Sequence, residues 1–209
     1  MLQFFQDTPV LQYVLAAFIG IGLAAATGLR VFLPMFAVSL ASYFHWIPVS
    51  ESFEWLAGLP ALIITGIATV VEILAYYIPF IDNLLDSITV PMATIAGAIL
   101  FAAQFTDLET FPQWALALIA GGGTAAIVSS TMAGARALSS TTTVGVANPV
   151  VSTIETTGAV VMTAFSYIFP VIAFVLAVVF IVLIIRIRKK IRKRRAERKN
   201  KADNPPSPF

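Results

Sequence analysis

Only two of the thirteen basic residues, Arg30 and Arg136, precede residue 186; the other eleven crowd between Arg186 and Lys201. A soluble domain keeps its surface wet with roughly a quarter charged residues, whereas this chain has 11% charged and 58% hydrophobic residues. Folded in water, its first 185 residues would expose apolar patches of a size that soluble monomers avoid. The expected fold class is therefore an all-α integral membrane protein of about six transmembrane helices, one or two of them broken or re-entrant. Cysteine is absent, which excludes disulfides and thiolate chemistry. The first ten residues contain Asp7 and no basic residue. They lack the positive start of a secretory signal, so the first apolar segment is expected to be retained.

A hydrocarbon core about 30 Å thick takes about 20 apolar residues in helix. Leu11 to Phe44 is apolar but too long for one simple crossing, and is interrupted by Thr27-Gly28-Leu29-Arg30 and then Pro34. It reads as a single long helix broken between Gly28 and Pro34, with a re-entrant hairpin as the alternative. Ala57–Pro79, Thr89–Phe105, Gln113–Ala135, Val144–Tyr167 and Phe169–Ile187 read as further spans. Residues 1–187 would then form the bundle, and 188–209 a basic, partly disordered cytoplasmic tail. The basic run after the last span places the C-terminus in the cytoplasm by the positive-inside rule. Counting back puts the Arg136 and Asp82/Asp86 connections on that side. With one crossing in the first segment, it puts the N-terminus there too. A weak internal repeat is suggested by Ala61-Leu62-Ile63 with Gly66 against Ala117-Leu118-Ile119 with Gly122, and by segments following Pro91 and Pro149.

The informative residues are ionisable side chains inside apolar spans, each costing about 2.5–3.5 kcal/mol at the bilayer centre unless partnered or hydrated. Glu72 shares a helix face with Thr65, Thr69 and Tyr76; Glu155 shares one with Asn148 and Ser152, with Thr156 beside it. Two readings stay open for these stripes. Arg30, Glu72, Arg136, Asn148, Ser152 and Glu155 line a path for an ion or solute, or the acids and arginines form interhelical locks. Gly28 with Pro34, and Gly145 with Pro149, mark candidate helix breaks, since unwound backbone at membrane depth is tolerated only against protein or a watery cavity; Gly145 and Pro149 equally suit a simple helix start. Asp82 and Asp86 form a candidate cation-binding loop, although a solvated face explains them as well. No metal, cofactor or enzymatic constellation is expected. The single histidine, His45, has no metal-site partner, and no nucleophile has an evident base.

Gly28-Leu29-Arg30 with Pro34 opens a pattern that continues through Glu72, Pro79, Asp82, Asp86, Thr89 and Pro91. It ends with the Arg136–Thr143 run, Gly145, Asn148, Pro149, Ser152 and Glu155. In this order the blocks resemble the bacterial membrane-protein family catalogued as domain of unknown function 4126. The chain departs from that family's pattern at Tyr76-Tyr77 and at Thr156. The resemblance implies a multi-pass protein of the bacterial inner membrane and brings no particular activity. A transporter or channel for a small ion or solute is the expected function. The alternatives are a lipid-handling protein that grips phosphate head groups through its arginines, and a non-transporting scaffold or regulator that uses the basic tail. Expected partners are the bilayer itself, anionic lipids at the tail, the ion or solute, and a second copy of the chain. Nothing in the tail carries a nucleic-acid signature.

Overall fold

The computed structural model describes residues 9–78, 81–106, 108–143 and 146–203, with backbone alone at 9, 82–84, 192, 194–196 and 198–203. Gly145 and the terminal segment Asn204–Phe209 lie outside the described residues, as does the Asp82 side chain. Every described element is helical. In chain order they are α1 (Pro9–Leu29), α2 (Phe32–Tyr43), a short 3-10 helix (Glu51–Ala57) and α3 (Leu59–Ala75). There follow α4 (Ile81–Ala102), α5 (Thr110–Leu116), a π-helical turn (Ala117–Gly122), α6 (Gly123–Thr143), α7 (Asn148–Ile168) and α8 (Pro170–Asp203).

Among the described residues, four helical stretches are long and apolar enough to cross a bilayer: Val10–Leu29, Leu85–Ala102, Thr110–Thr143 and Pro170–Ile191. A fifth arises if the 3-10 helix and α3, bent by 63°, count as one span. The expectation of six is thus reduced to four or five. Helix α7 is 21 residues long, but its polar stripe of Asn148, Ser152, Glu155 and Thr163 keeps it out of that set. The apolar outer faces fit a lipid surround: Ile63, Ile64, Ile67, Val70 and Leu74 of α3 all stand exposed.

The first apolar segment is a hairpin, and the single broken crossing is corrected. Gly20 of α1 lies against Phe101 of α4, and Ala24 against Gly97, so α1 runs antiparallel to α4. The chain leaving α2 returns to the end of α4 where α1 started, and there Ser50 N–H donates to the Ala103 carbonyl at 3.0 Å. Helix α2 has 12 residues, roughly 18 Å of rise, too little to cross a core about 30 Å thick. The same antiparallel register carries the tip, Arg30-Val31, only to the level of Pro91, near the middle of α4. Pro9 and the basic tail consequently lie at opposite ends of the bundle, which reverses the N-terminal placement expected for a single crossing. The physical cause is local: at Arg30-Val31 the helix has stopped, and the N–H groups of Val31 and Phe32 are satisfied by a side chain from another helix.

Close packing at α1 allows the tip to be buried. Helix α4 approaches α1, α6 and the π-helical turn so tightly that a Cβ on Gly20 would stand 2.7 Å from Phe101 Cδ2, one on Gly97 2.5 Å from the Ala125 Cβ, and one on Gly121 only 2.7 Å from the Gly97 carbonyl oxygen. Small residues that let helix backbones approach are the usual basis of helix association in lipid. At the end away from the tail, Gln113 closes the bundle, its amide donating to Ser50 Oγ, Ala102 O and Phe105 O at 3.2, 2.9 and 3.0 Å.

Two expected connections are helix instead. Arg136 to Thr143 forms the last turns of α6, and Asp86 lies on α4, which begins at Ile81. The basic tail continues α8 without a break as far as Asp203, consistent with the high helix propensity of Lys, Arg and Glu. The two prolines matched in the suggested repeat sit differently: Pro91 is inside α4, whereas Pro149 occupies the first turn of α7.

Candidate functional site

The hairpin tip delivers Arg30 into the bundle interior with no exposed surface. Its guanidinium reads one turn of α7. Nε donates to Thr156 Oγ1 at 3.1 Å, Nη2 donates to the Ser152 carbonyl at 3.0 Å, and Nη2 also bonds Ser152 Oγ. The same Nη2 stands 3.8 Å from Glu155 Oε2. Nη1 is buried and has no hydrogen-bond partner among the described residues.

Glu155 is shared. Arg136 of α6 reaches it with two parallel bonds, Nε to Oε1 at 3.1 Å and Nη2 to Oε2 at 2.5 Å. This fork-on-fork pairing is the strong geometry for guanidinium and carboxylate. The remaining Nη1 of Arg136 pairs with Asp86 on α4, whose side chain is 15% exposed. Helices α4, α6 and α7 and the hairpin tip are thereby tied by one chain of charges. Asn148, also buried, extends the polar strip toward the basic end by donating to Ser140 Oγ at 2.9 Å.

Glu72 of α3 is held differently. Its Oε1 accepts from Val31 N–H at 2.8 Å and its Oε2 from Phe32 N–H at 3.0 Å. A helix N-terminus leaves its first N–H groups without intrahelical partners and carries partial positive charge. Glu72 therefore caps α2 from another helix. Among the described residues it lies in no ion pair, whereas Asp86 and Glu155 both do.

Tyr76, one turn beyond Glu72, joins the two halves. Both guanidinium carbons lie over its ring, Arg30 at 4.2 Å and Arg136 at 4.0 Å from the centroid. Its hydroxyl is 2.7 Å from Thr89 Oγ1, which in turn donates its only hydrogen to the Leu85 carbonyl. Tyr76 must then be the donor to Thr89.

A family model described as domain of unknown function DUF4126 matches residues 17–190. The chain belongs to this family. No curated protein and no solved structure matches it. The DUF4126 match runs from α1 through the first basic residues of α8, so it contains every charge of the cluster.

Of the residues singled out in the sequence of this DUF4126 chain, Arg30, Glu72, Arg136, Ser152 and Glu155 meet at one place, and Asn148 adjoins them. Gly28 lies inside α1, where a Cβ would stand 2.5 Å from Val128; Pro34 lies in the first turn of α2. The actual break falls between them. Asp86 belongs to the cluster as Arg136's partner and lies on α4, not in a loop. Ile81, Leu85, Ile88 and Met92 recur at helical spacing; read as a helix face, they would have brought Asp86 inside. Tyr76 was visible only as a member of the Glu72 stripe; its position over two arginines had no sequence signal.

Two clefts flank the α2–α3 pair. One, of about 450 Å³, runs between α2 and α7 and is lined by Leu33, Phe36, Leu40, Val160 and Tyr167 among others. The other, of about 240 Å³, lies between α3 and α4, with Glu72, Tyr76 and Thr89 in a wall that includes Val31, Phe32 and Met92.

Proposed function

We propose that this DUF4126 protein is a membrane transporter or channel for a small ion or solute. In this reading the charged cluster at the hairpin tip is its gate and binding site. The observation that carries the proposal is the convergence of five ionisable groups from α3, α4, α6, α7 and the α1–α2 tip at the level of a broken helix. Irregular backbone at such depth is characteristically paired with ion and substrate sites, where helix ends supply partial charges that no side chain carries. Two arginines face three carboxylates, which leaves a deficit of one positive charge in a medium that penalises imbalance; a cation or a proton is the natural complement. The unpartnered Arg30 Nη1 is a further group that a passing solute or water would satisfy.

The cluster is shut: Arg30, Arg136, Ser152 and Glu155 are all 2% exposed or less. Transport then requires α2 and α3, flanked by clefts on both sides, to move against α4 and α7. That closure also favours a second reading, in which the arginines and acids are a structural lock and the basic tail is the working part. The tail end faces the cytoplasm of a bacterial inner membrane in either reading, and its basic side chains hold anionic head groups. The deciding experiment is flux across liposomes containing the full chain, under an imposed potential, for protons, sodium, potassium and chloride. Wild-type flux that drops at least tenfold in a folded Glu72→Gln variant supports transport. Absence of flux for all four ions, with normal folding, selects the lock.

A further inference from the structure

Glu72 is the one cluster carboxylate without a guanidinium at ion-pair distance among the described residues, and it is also the one that borders the cleft between α3 and α4. Each of its oxygens accepts a single backbone N–H, so each retains acceptor capacity. Apart from Glu72 and the hydroxyl-bearing Tyr76 and Thr89, the wall is apolar, with Val31, Phe32, Val71, Leu85, Ile88 and Met92. Val71, Ile88 and Met92 are 58%, 46% and 36% exposed, so the cleft opens on the outer, apolar surface of the bundle. We propose that this cleft binds a lipophilic ammonium, a protonated amine on a small apolar body, which enters sideways from the bilayer and pairs with Glu72.

The chemistry separates this occupant from others. A hard metal ion such as calcium wants six to eight oxygen ligands, and this wall offers two carboxylate oxygens and two hydroxyls. An anion would meet the surplus negative charge. An ammonium head has three donors and no acceptor, which suits Glu72 together with the oxygen lone pairs of Tyr76 and Thr89, while its hydrocarbon body covers Phe32 and Met92. At about 240 Å³ the cleft is smaller than the roughly 300–1,000 Å³ of drug-sized sites, so the body is a short chain or a single ring.

The inference rests on the transport reading for its purpose, although not for its test. The full chain in lipid nanodiscs is titrated calorimetrically with n-hexylammonium, and separately with n-hexanol, which has the same body and no charge. Saturable binding of the amine is expected, with n-hexanol failing to compete. At least a tenfold loss is expected in Glu72→Gln and in Ala68→Phe, which fills the cleft while leaving the carboxylate in the chain and keeps the test valid where the loss of Glu72 disturbs α2. Equal competition by n-hexanol, or unchanged binding in Ala68→Phe, overturns the proposal. Amine binding without flux of the amine or any ion tested removes the transport reading and leaves the site. Ion flux with amine binding indifferent to Ala68→Phe does the reverse.

Discussion

Glu155 and Glu72 are the same residue type, both at most 7% exposed, on either side of one arginine, yet the protein neutralises them by different means. Glu155 has countercharges: Arg136 in a two-bond fork and Arg30 at 3.8 Å. Glu72 has the two free N–H groups of a helix start. The comparison teaches that burial alone does not say what an intramembrane acid is for. Glu155 is locked between Arg136 of α6 and Arg30 of the hairpin tip. Glu72 is held by backbone on one side only and looks onto a lipid-facing cavity on the other.

Removing Glu155 is the strongest way to break this contrast. Glu155→Ala strands the Arg136 fork and withdraws the acid from Arg30, and losing one partner of a buried pair costs about 3–5 kcal/mol. Denaturant unfolding in detergent should show that loss. The double variant Arg136→Met/Glu155→Leu should be much less damaged than Glu155→Ala, because the orphan charge goes with its partner. Asp86, with a 15% exposed side chain, can then turn toward water. A Glu155→Ala variant within 1 kcal/mol of wild type would mean that water already reaches the pair, and the distinction between a dry acid and an accessible one would collapse.

Glu72→Ala is expected to cost less, about 1.5–3 kcal/mol, the range for hydrogen bonds to a charged group. Its signature should be local. Amide exchange at Val31 and Phe32 should accelerate in Glu72→Ala and stay near wild type in Glu155→Ala, since only Glu72 touches those amides. Acceleration at both positions in both variants would show that the hairpin tip is held by the arginine network and not by its cap.

The sequence made the membrane class legible because charge depletion is a whole-chain property that needs no geometry. It also made Arg30, Glu72, Arg136, Ser152 and Glu155 legible, because each is anomalous in its own helix. The hairpin was legible only as the alternative to a single broken crossing, for a physical reason. What stops α1 at Leu29 and starts α2 at Phe32 is a carboxylate about forty residues away, and a cap supplied by another helix leaves no mark at the position it caps. Asp86 was obscured by composition: Phe80 to Ile88 looks like a polar connection when counted by residue type, although its apolar positions repeat with helical spacing. Lysine, arginine and glutamate are good helix formers, and α8 continues through the basic run to Asp203.

The smallest expected effect lies at Tyr76, where the two halves of the comparison touch. Tyr76→Phe keeps the ring under both guanidiniums and removes the hydroxyl that donates to Thr89 at 2.7 Å. Thr89 still donates to Leu85, so the loss is one hydrogen bond, about 1 kcal/mol. Tyr76→Leu removes the ring as well. Each desolvated guanidinium over an aromatic face is worth about 1–2 kcal/mol, so Tyr76→Leu should fall below Tyr76→Phe by roughly that amount or more. Unfolding of the two variants side by side measures the difference. If Tyr76→Leu proved no worse than Tyr76→Phe, the ring would be a spacer, and the Glu72 and Glu155 halves would be energetically separate. A large gap would make the tyrosine the element through which occupancy at Glu72 is felt by the arginines of the lock.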